Sequence, residues 1–426
     1  MTDKTLPEAV FDTIVEDPKA DGGLDVSARA AEPGNFLRHV AALSASKISD
    51  GLINPKLVLS WLLMQLGAGA FWAGLLVPVR ESLALLPQVV TAPRIAAQPL
   101  RKWFWAGGAM VQGLCALGIA AAALTLQGNA AGLAIVGLLA VLALARSVCS
   151  ASYKDTLGKT VGSSRRGTVT GTASSAASLG VIAFALLLMT GWGDRMTLVL
   201  AGLCVAGGLW LIGGAVLGSL REEPSQTSDD TRVVVRFAAL REDAQLRRFV
   251  IVRSLLVGTA LAPPFLVTLG EDGALGVLGA LVLASALASL VSSFVWGRLS
   301  DRSSRRVLVY AGLAGAAVLA LVCLAALTGL ATVTGVVPVL LFALMIAYEG
   351  VRQGRSTHLV DMAGEADRAA YTALSNTAVG VVLIVAGGAS AAVGAVSVPL
   401  ALALFSVMCL AGGLLALKLD EVQDHG

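Results

Sequence analysis

Ionisable side chains recur inside the apolar stretches of this chain. Lys47 and Asp50 stand three residues apart in the first stretch, with Lys56 just past Pro55. At that spacing on a helix the ammonium and the carboxylate share a face and can pair. Pro55 lacks the N–H of a regular helix and predicts a kink. Arg80 and Glu81 are adjacent in the next stretch, and neighbours on a helix point about 100° apart, so they are expected to meet different partners. Further on come Arg146, with Tyr153, Lys154 and Asp155 nearer the end of its stretch, then Arg253, then Glu349 and Arg352, again three apart and flanked by Tyr348 and Gln353. A charge at membrane depth is costly unless it is paired or faces a wet cavity, which makes each one a functional candidate. For each pair the alternative is a structural bridge between helices.

These residue types bind and carry protons; they do not suggest bond-making chemistry. Asp50, Glu81 and Glu349 are candidate proton carriers, because burial and a neighbouring guanidinium pull a carboxyl's proton affinity in opposite directions. Lys47, Lys56, Arg80, Arg146, Arg253 and Arg352 outnumber them, and a net-positive site favours an anionic or zwitterionic solute. The sequence has no Gly-x-x-x-x-Gly-Lys-(Ser/Thr) loop and no Ser/His/Asp set, and its histidines are only His39, His358 and His425. An enzyme is not expected. Cys115, Cys149, Cys204, Cys323 and Cys409 all fall in apolar runs without paired spacing, so they read as free thiols packed as small hydrophobes. No metal or cofactor is expected.

The elements that position these groups must lie in a bilayer. Of 426 residues 56% are hydrophobic and 14% charged, and mean hydropathy is +0.80, far from the mix of a soluble domain. A net charge of +3 gives no basic surface for nucleic acid. A spanning helix needs about 20 apolar residues, and twelve such stretches can be cut. They run over 36–64, 68–92, 102–126, 131–157, 167–190 and 195–219, then 247–268, 273–297, 306–328, 333–360, 369–392 and 397–418. The expected class is therefore an all-α membrane protein of twelve transmembrane helices in two six-helix halves, 36–220 and 247–418. A polar linker, 221–246, joins the halves. An acidic tail, 1–35, is expected to be flexible and lacks the basic start and apolar core of a signal peptide. A short tail, 419–426, closes the chain.

Loop charges alternate. Arg94, Arg101, Lys102, Lys159, Arg165, Arg166, the linker, Arg298 to Arg306 and Arg368 fall on one side, whereas 66–70, 127–130, 329–334 and 394–397 carry no charge. On that second side 191–195 and 270–273 add one Arg against three acids. Basic loops stay cytoplasmic, so both termini are expected there. The halves also repeat. Residues 93–102 lie over 297–306 at an offset of 297 − 93 = 204, and 157–170 lie over 359–372 at 368 − 166 = 202. The first offset sets Arg80 and Glu81 against Ala284 and Ser285, so those charges belong to one half alone. It also sets Arg253 against Ser49, beside Asp50, so opposite charges are expected at comparable depth across the pseudo-twofold axis.

The segment 297–306, Gly-Arg-Leu-Ser-Asp-Arg-Ser-Ser-Arg-Arg, resembles the cytoplasmic loop signature of the major facilitator superfamily. It departs at Ser304, where glycine is usual. Gly297, Arg298, Asp301, Arg302 and Arg305 match. The resemblance implies two parallel six-helix halves with a site near the midplane, and a signature that latches the cytoplasmic side. Asp301 is suited to attract a helix N-terminus. The copy at 93–102 has Ala97 for the acid, with Pro93 and Pro99, so an acid-based latch is expected in the second half only. The implied function is secondary transport, symport or antiport, of a small organic anion or zwitterion coupled to protons, by a monomer in a bacterial inner membrane. A multidrug-type proton antiporter is an alternative, against which 5% aromatic content and the basic excess count. A non-transporting relative acting in assembly or sensing is another.

Overall fold

A computed structural model describes Phe11, Thr13, Leu24 and residues 26–224, 239–269, 277–363 and 368–423. Among the described residues the regular elements are all helices. The first half comprises α1 (Val26–Ile53), α2 (Val58–Gln65), α3 (Ala70–Leu85), α4 (Gln88–Ala96), α5 (Lys102–Thr125), α6 (Gly128–Thr160), α7 (Arg166–Met189) and α8 (Arg195–Gly218). After a single turn at Ala239–Glu242 the second half comprises α9 (Ala244–Leu255), α10 (Gly258–Leu261), α11 (Pro263–Thr268), α12 (Val277–Arg302), α13 (Ser304–Leu327), α14 (Val336–Met362), α15 (Arg368–Val396) and α16 (Val398–Ala416).

Among the described residues ten helical stretches are long and apolar enough to cross a membrane, and α12, bent by 40° between Ser292 and Val295, makes an eleventh. The first expected span is not among them. It does not form one helix: Pro55 cannot continue α1, and the Asn54 carbonyl instead receives the N–H groups of Leu57, Val58 and Leu59 at 3.2, 2.9 and 3.2 Å. The Asn54 Oδ1 accepts the Lys56 N–H at 3.1 Å, and the Ser60 hydroxyl donates to the Pro55 carbonyl at 2.9 Å. The predicted kink is thus a full break whose backbone groups are satisfied locally. In the second half Pro263 and Pro264 open α11 at its first turn, where proline's missing N–H costs nothing. Two other boundaries move. Helix α1 begins at Val26, inside the expected tail, and α12 runs to Arg302, so the first six residues of the signature are helix rather than loop.

The halves join through α3 against α15 and α7 against α12. Small residues make the approach possible. A Cβ on Gly74 would stand 3.0 Å from the Ala391 Cα, one on Gly279 would stand 2.8 Å from the Ala185 carbonyl oxygen, and one on Gly387 would strike the Pro78 ring. Gly74 is near the start of α3 and Gly279 near the start of α12, so these contacts lie at the end of the bundle opposite the termini.

At the terminal end each half is tied by the segment that follows its last helix. Asn35 and Arg221 exchange two hydrogen bonds at 2.9 and 3.0 Å. The buried Glu222 carboxylate accepts the N–H groups of Arg101 and Lys102 at 3.1 and 2.8 Å and pairs with Lys159 at 3.1 Å. In the second half Glu421 accepts from the Ser303 hydroxyl at 2.7 Å and pairs with Arg305 at 3.5 Å, while Gln423 accepts the Ser304 N–H at 2.9 Å. Of the tail, Phe11 is buried edge-on against Phe36, ring centroids 5.2 Å apart. The rest of the tail before Leu24, linker residues 225–238, the segment 270–276, Gly364, the Arg368 side chain and residues 424–426 lie outside the described residues.

Candidate functional site

Asp50, midway along the first span, is the centre of a charged cluster. Its Oδ1 accepts from Arg80 on α3 at 3.0 Å and its Oδ2 pairs with Arg146 on α6 at 2.7 Å. Arg146 also donates to the Ser46 hydroxyl at 3.2 Å, which receives the Trp210 indole N–H at 3.2 Å. The side chains of Asp50, Arg80 and Arg146 keep 22%, 13% and 28% of their surface exposed, so the cluster faces a space between helices. The expected Lys47–Asp50 bridge is not formed. Lys47 turns to α7 and donates to the Ser174 hydroxyl at 2.7 Å, because two guanidiniums from neighbouring helices already fill the Asp50 carboxylate. One carboxylate between two guanidiniums leaves a net positive charge.

Across that space, α14 presents Glu349 and Arg352, which pair as their spacing predicted, at 3.3 Å. Arg352 is 60% exposed although it sits well inside its helix. Lys56, in the break of the first span, rests its ammonium 3.5 Å from the centroid of the Tyr348 ring, a contact between the halves. Glu81 is half-buried, lies within electrostatic reach of Arg352, and forms no hydrogen bond or ion pair among the described residues. Arg80 and Glu81 therefore part company, as adjacent residues on a helix should.

Arg253 does not join this cluster. It is buried on α9 and donates to Ser375 and Asn376 of α15, each at 2.8 Å, so it does not meet Asp50. The structure corrects the register. In each half a basic residue of the first helix bonds a serine of the fifth, Lys47 to Ser174 and Arg253 to Ser375, with offsets of 253 − 47 = 206 and 375 − 174 = 201. Arg253 is thus the counterpart of Lys47, buried where Lys47 is half-open.

Residues 248–426 match the family model described as Major Facilitator Superfamily. About nine tenths of the chain superposes on solved transporters at low sequence identity. A nucleoside transporter, NupG, matches with a TM-score of 0.67 at 12% identity, over 90% of this chain and 98% of that one. A D-xylose-proton symporter matches with 0.67 at 12%, over 91% and 98%, and a POT family transporter bound to a thioalcohol-conjugated peptide with 0.67 at 10%, over 90% and 95%. The chain has the major facilitator fold, and its second half matches the family's sequence. No curated protein matches it in sequence. It is an integral membrane protein.

The signature sits at the end of α12 and the start of α13. Asp301 and Arg302 are exposed, and Asp301 forms no hydrogen bond or ion pair among the described residues. Arg298 is exposed, and a Cβ on Gly297 would meet nothing within 4 Å. Arg305 reaches Glu421 and the Leu419 carbonyl, the latter at 3.3 Å. Ser304, the one departure from the family pattern, is buried, with its hydroxyl 2.9 Å from His358 Nδ1. A glycine there could not make this tie. In the first-half copy, Arg101 donates to Asp155 at 2.8 Å, and Glu222 caps the helix. In both copies the basic residues at the end of the motif reach acids distant in sequence, Arg101 to Asp155 and Arg305 to Glu421.

Sequence reasoning missed three polar ties. Glu32, assigned to the tail, pairs with Arg165 at 2.6 Å, both 3% exposed, and accepts the Gly162 N–H at 2.8 Å. His39 lies 2.7 Å from the Thr160 hydroxyl and stacks on Trp105. Asp243 caps α9 through the N–H groups of Gln245 and Leu246 at 2.8 and 3.0 Å, and receives the Tyr371 hydroxyl at 2.8 Å. Its desolvation raises the carboxyl's pKa, but the bonds from Leu246, Tyr371 and Gln245 outweigh this and hold it below the usual carboxylate range. The signal available for Asp243 was an acid just ahead of a helix. Glu32 gave none.

Proposed function

We propose that this protein is a proton-coupled secondary transporter of a small organic anion or zwitterion, working by alternating access of a site between its halves. The observation that carries the reading is the Asp50 carboxylate clasped by Arg80 and Arg146. A proton taken up by Asp50 removes the charge that holds both guanidiniums, and they become free to receive an anion. Lys47 and Lys56 add to the positive excess of the same space. Glu81 and Glu349 add two carboxylates to it. Basic loop residues at the terminal end support a cytoplasmic placement of both termini, and a bacterial inner membrane suits that topology. The fold's usual working unit, a single chain, suffices to build this site.

The test is solute-driven proton flux in proteoliposomes carrying an internal pH dye, screened with mono- and dicarboxylates, amino acids and cationic dyes. Flux with an anion or zwitterion is expected, with Arg146→Ala raising the half-saturating concentration about 10- to 100-fold, the worth of a charged hydrogen bond. Asp50→Asn is expected to lose proton flux while solute-for-solute exchange continues. Flux with cationic dyes alone would replace this reading by a multidrug antiporter. No flux with any of them would favour a non-transporting role.

A further inference from the structure

Lys56 is an ammonium at membrane depth. The break at Asn54–Leu57 takes it out of helical register, its backbone N–H is spent on Asn54 Oδ1, and no carboxylate pairs with it among the described residues. Its partner is the face of Tyr348, 3.5 Å away on α14 of the other half. Glu349, the residue next to Tyr348, pairs with Arg352 instead of with Lys56.

A cation on an aromatic face is held far less firmly than a cation on a carboxylate in the same desolvated place. An anion entering the space between the halves therefore outcompetes the ring for this ammonium. The contact it displaces is one that joins the two halves.

We propose that Lys56 is an anion-binding residue through which the bound solute acts on the other half: the solute's anionic group replaces the Tyr348 ring as partner and releases a tie between the halves. This rests on the reading of the cargo as anionic. Asp50 and its guanidiniums answer to the proton, whereas Lys56 answers to the solute.

The experiment is pulsed electron–electron resonance on the full chain in nanodiscs. Spin labels are placed at Gln98→Cys and Glu242→Cys, exposed positions at the terminal end of either half, with Cys204 and Cys323 replaced by alanine. Without solute, Lys56→Met and Tyr348→Leu are each expected to change the ratio of long to short label distances on the order of tenfold, toward the short. The double variant should go no further than either single one. Tyr348→Phe and Lys56→Arg, which keep a ring and a cation, should retain the parent distribution. Acetate, succinate and glutamate are then added. A carboxylate that shifts the parent protein should fail to shift Lys56→Met.

If Tyr348→Leu and Lys56→Met leave the distances unchanged, or if Tyr348→Phe behaves as Tyr348→Leu, the tie is not of this kind and the proposal falls. It also falls, alone, if a carboxylate that drives proton flux shifts Lys56→Met as it shifts the parent. If no carboxylate either drives flux or shifts the parent, the anionic reading fails and takes the proposal with it.

Discussion

Two basic residues that look alike in the sequence have opposite standing in the fold. Lys47 keeps part of its side chain open and has a single hydroxyl partner, so it remains available to a ligand. Arg253 spends its guanidinium on Ser375 and Asn376 and is 6% exposed. Burying a charge with fixed partners makes it part of the frame. Arg253→Lys, whose single ammonium cannot reproduce the planar fork, should therefore lower unfolding stability by about 2 kcal/mol, seen as a fall in melting temperature in detergent. The half-saturating solute concentration should stay as it was. A loss of transport at unchanged melting temperature would instead return Arg253 to the site. The charges at membrane depth were legible in the sequence because each was dear to bury. Their partners were not, since a spacing of three shows only that Lys47 and Asp50 can meet. Long side chains from α3 and α6 decided that they do not.

At the scale of elements, apolar stretches predicted helices well and their interruptions poorly. Hydropathy runs continuously through 247–268, yet Pro263 and Pro264 start a new helix there, and Pro55 splits the first span where a kink was expected. Local backbone chemistry decides such breaks, and a window average cannot see it. Helix starts at the terminal end have a further requirement, an acceptor for their free N–H groups. Glu222 meets it for α5 from about 120 residues away, which no local pattern announces. Asp243 meets it for α9 from the adjoining position. The Asp243 carboxyl titrates below its ordinary value of 3.8, so its contribution is fully present above that value and is lost as pH falls through the lower, folded one. Amide exchange at residues 245–248 should accordingly quicken relative to the rest of α9 as pH drops below about 4, after correction for intrinsic rates. Asp243→Asn should weaken the cap at neutral pH and flatten that dependence. An unchanged profile in the variant would mean that another group governs the end of the helix.

The whole molecule is two copies of one design, and the offsets of 204 and 202 announced this before any packing was known. The duplication reaches the side chains, in the basic residue of each first helix that bonds a serine of the fifth and in the segment after each sixth helix that folds back on the start of the third. The surface between the copies was not legible. With 47 glycines in the chain, nothing marked those that let the halves approach. Two neighbours on α15 separate the cases. A Cβ at Gly387 would run into the ring of Pro78 in the other half, whereas one at Gly388 would meet nothing within 4 Å. Because Pro78 is locked within α3, the collision can be relieved only by parting α3 from α15. The cost of such overpacking, about 1–3 kcal/mol, falls on the arrangement in which the halves touch at the end opposite the termini. Gly387→Ala should therefore populate the alternative arrangement. A cysteine placed near Ala391 should become more accessible to a maleimide added from that side, and transport should slow. Gly388→Ala should leave accessibility and transport alone and raise the melting temperature slightly, since alanine favours a helix over glycine by about 1 kcal/mol. Equal behaviour of the two variants would mean that the approach of α3 to α15 does not hold the halves together.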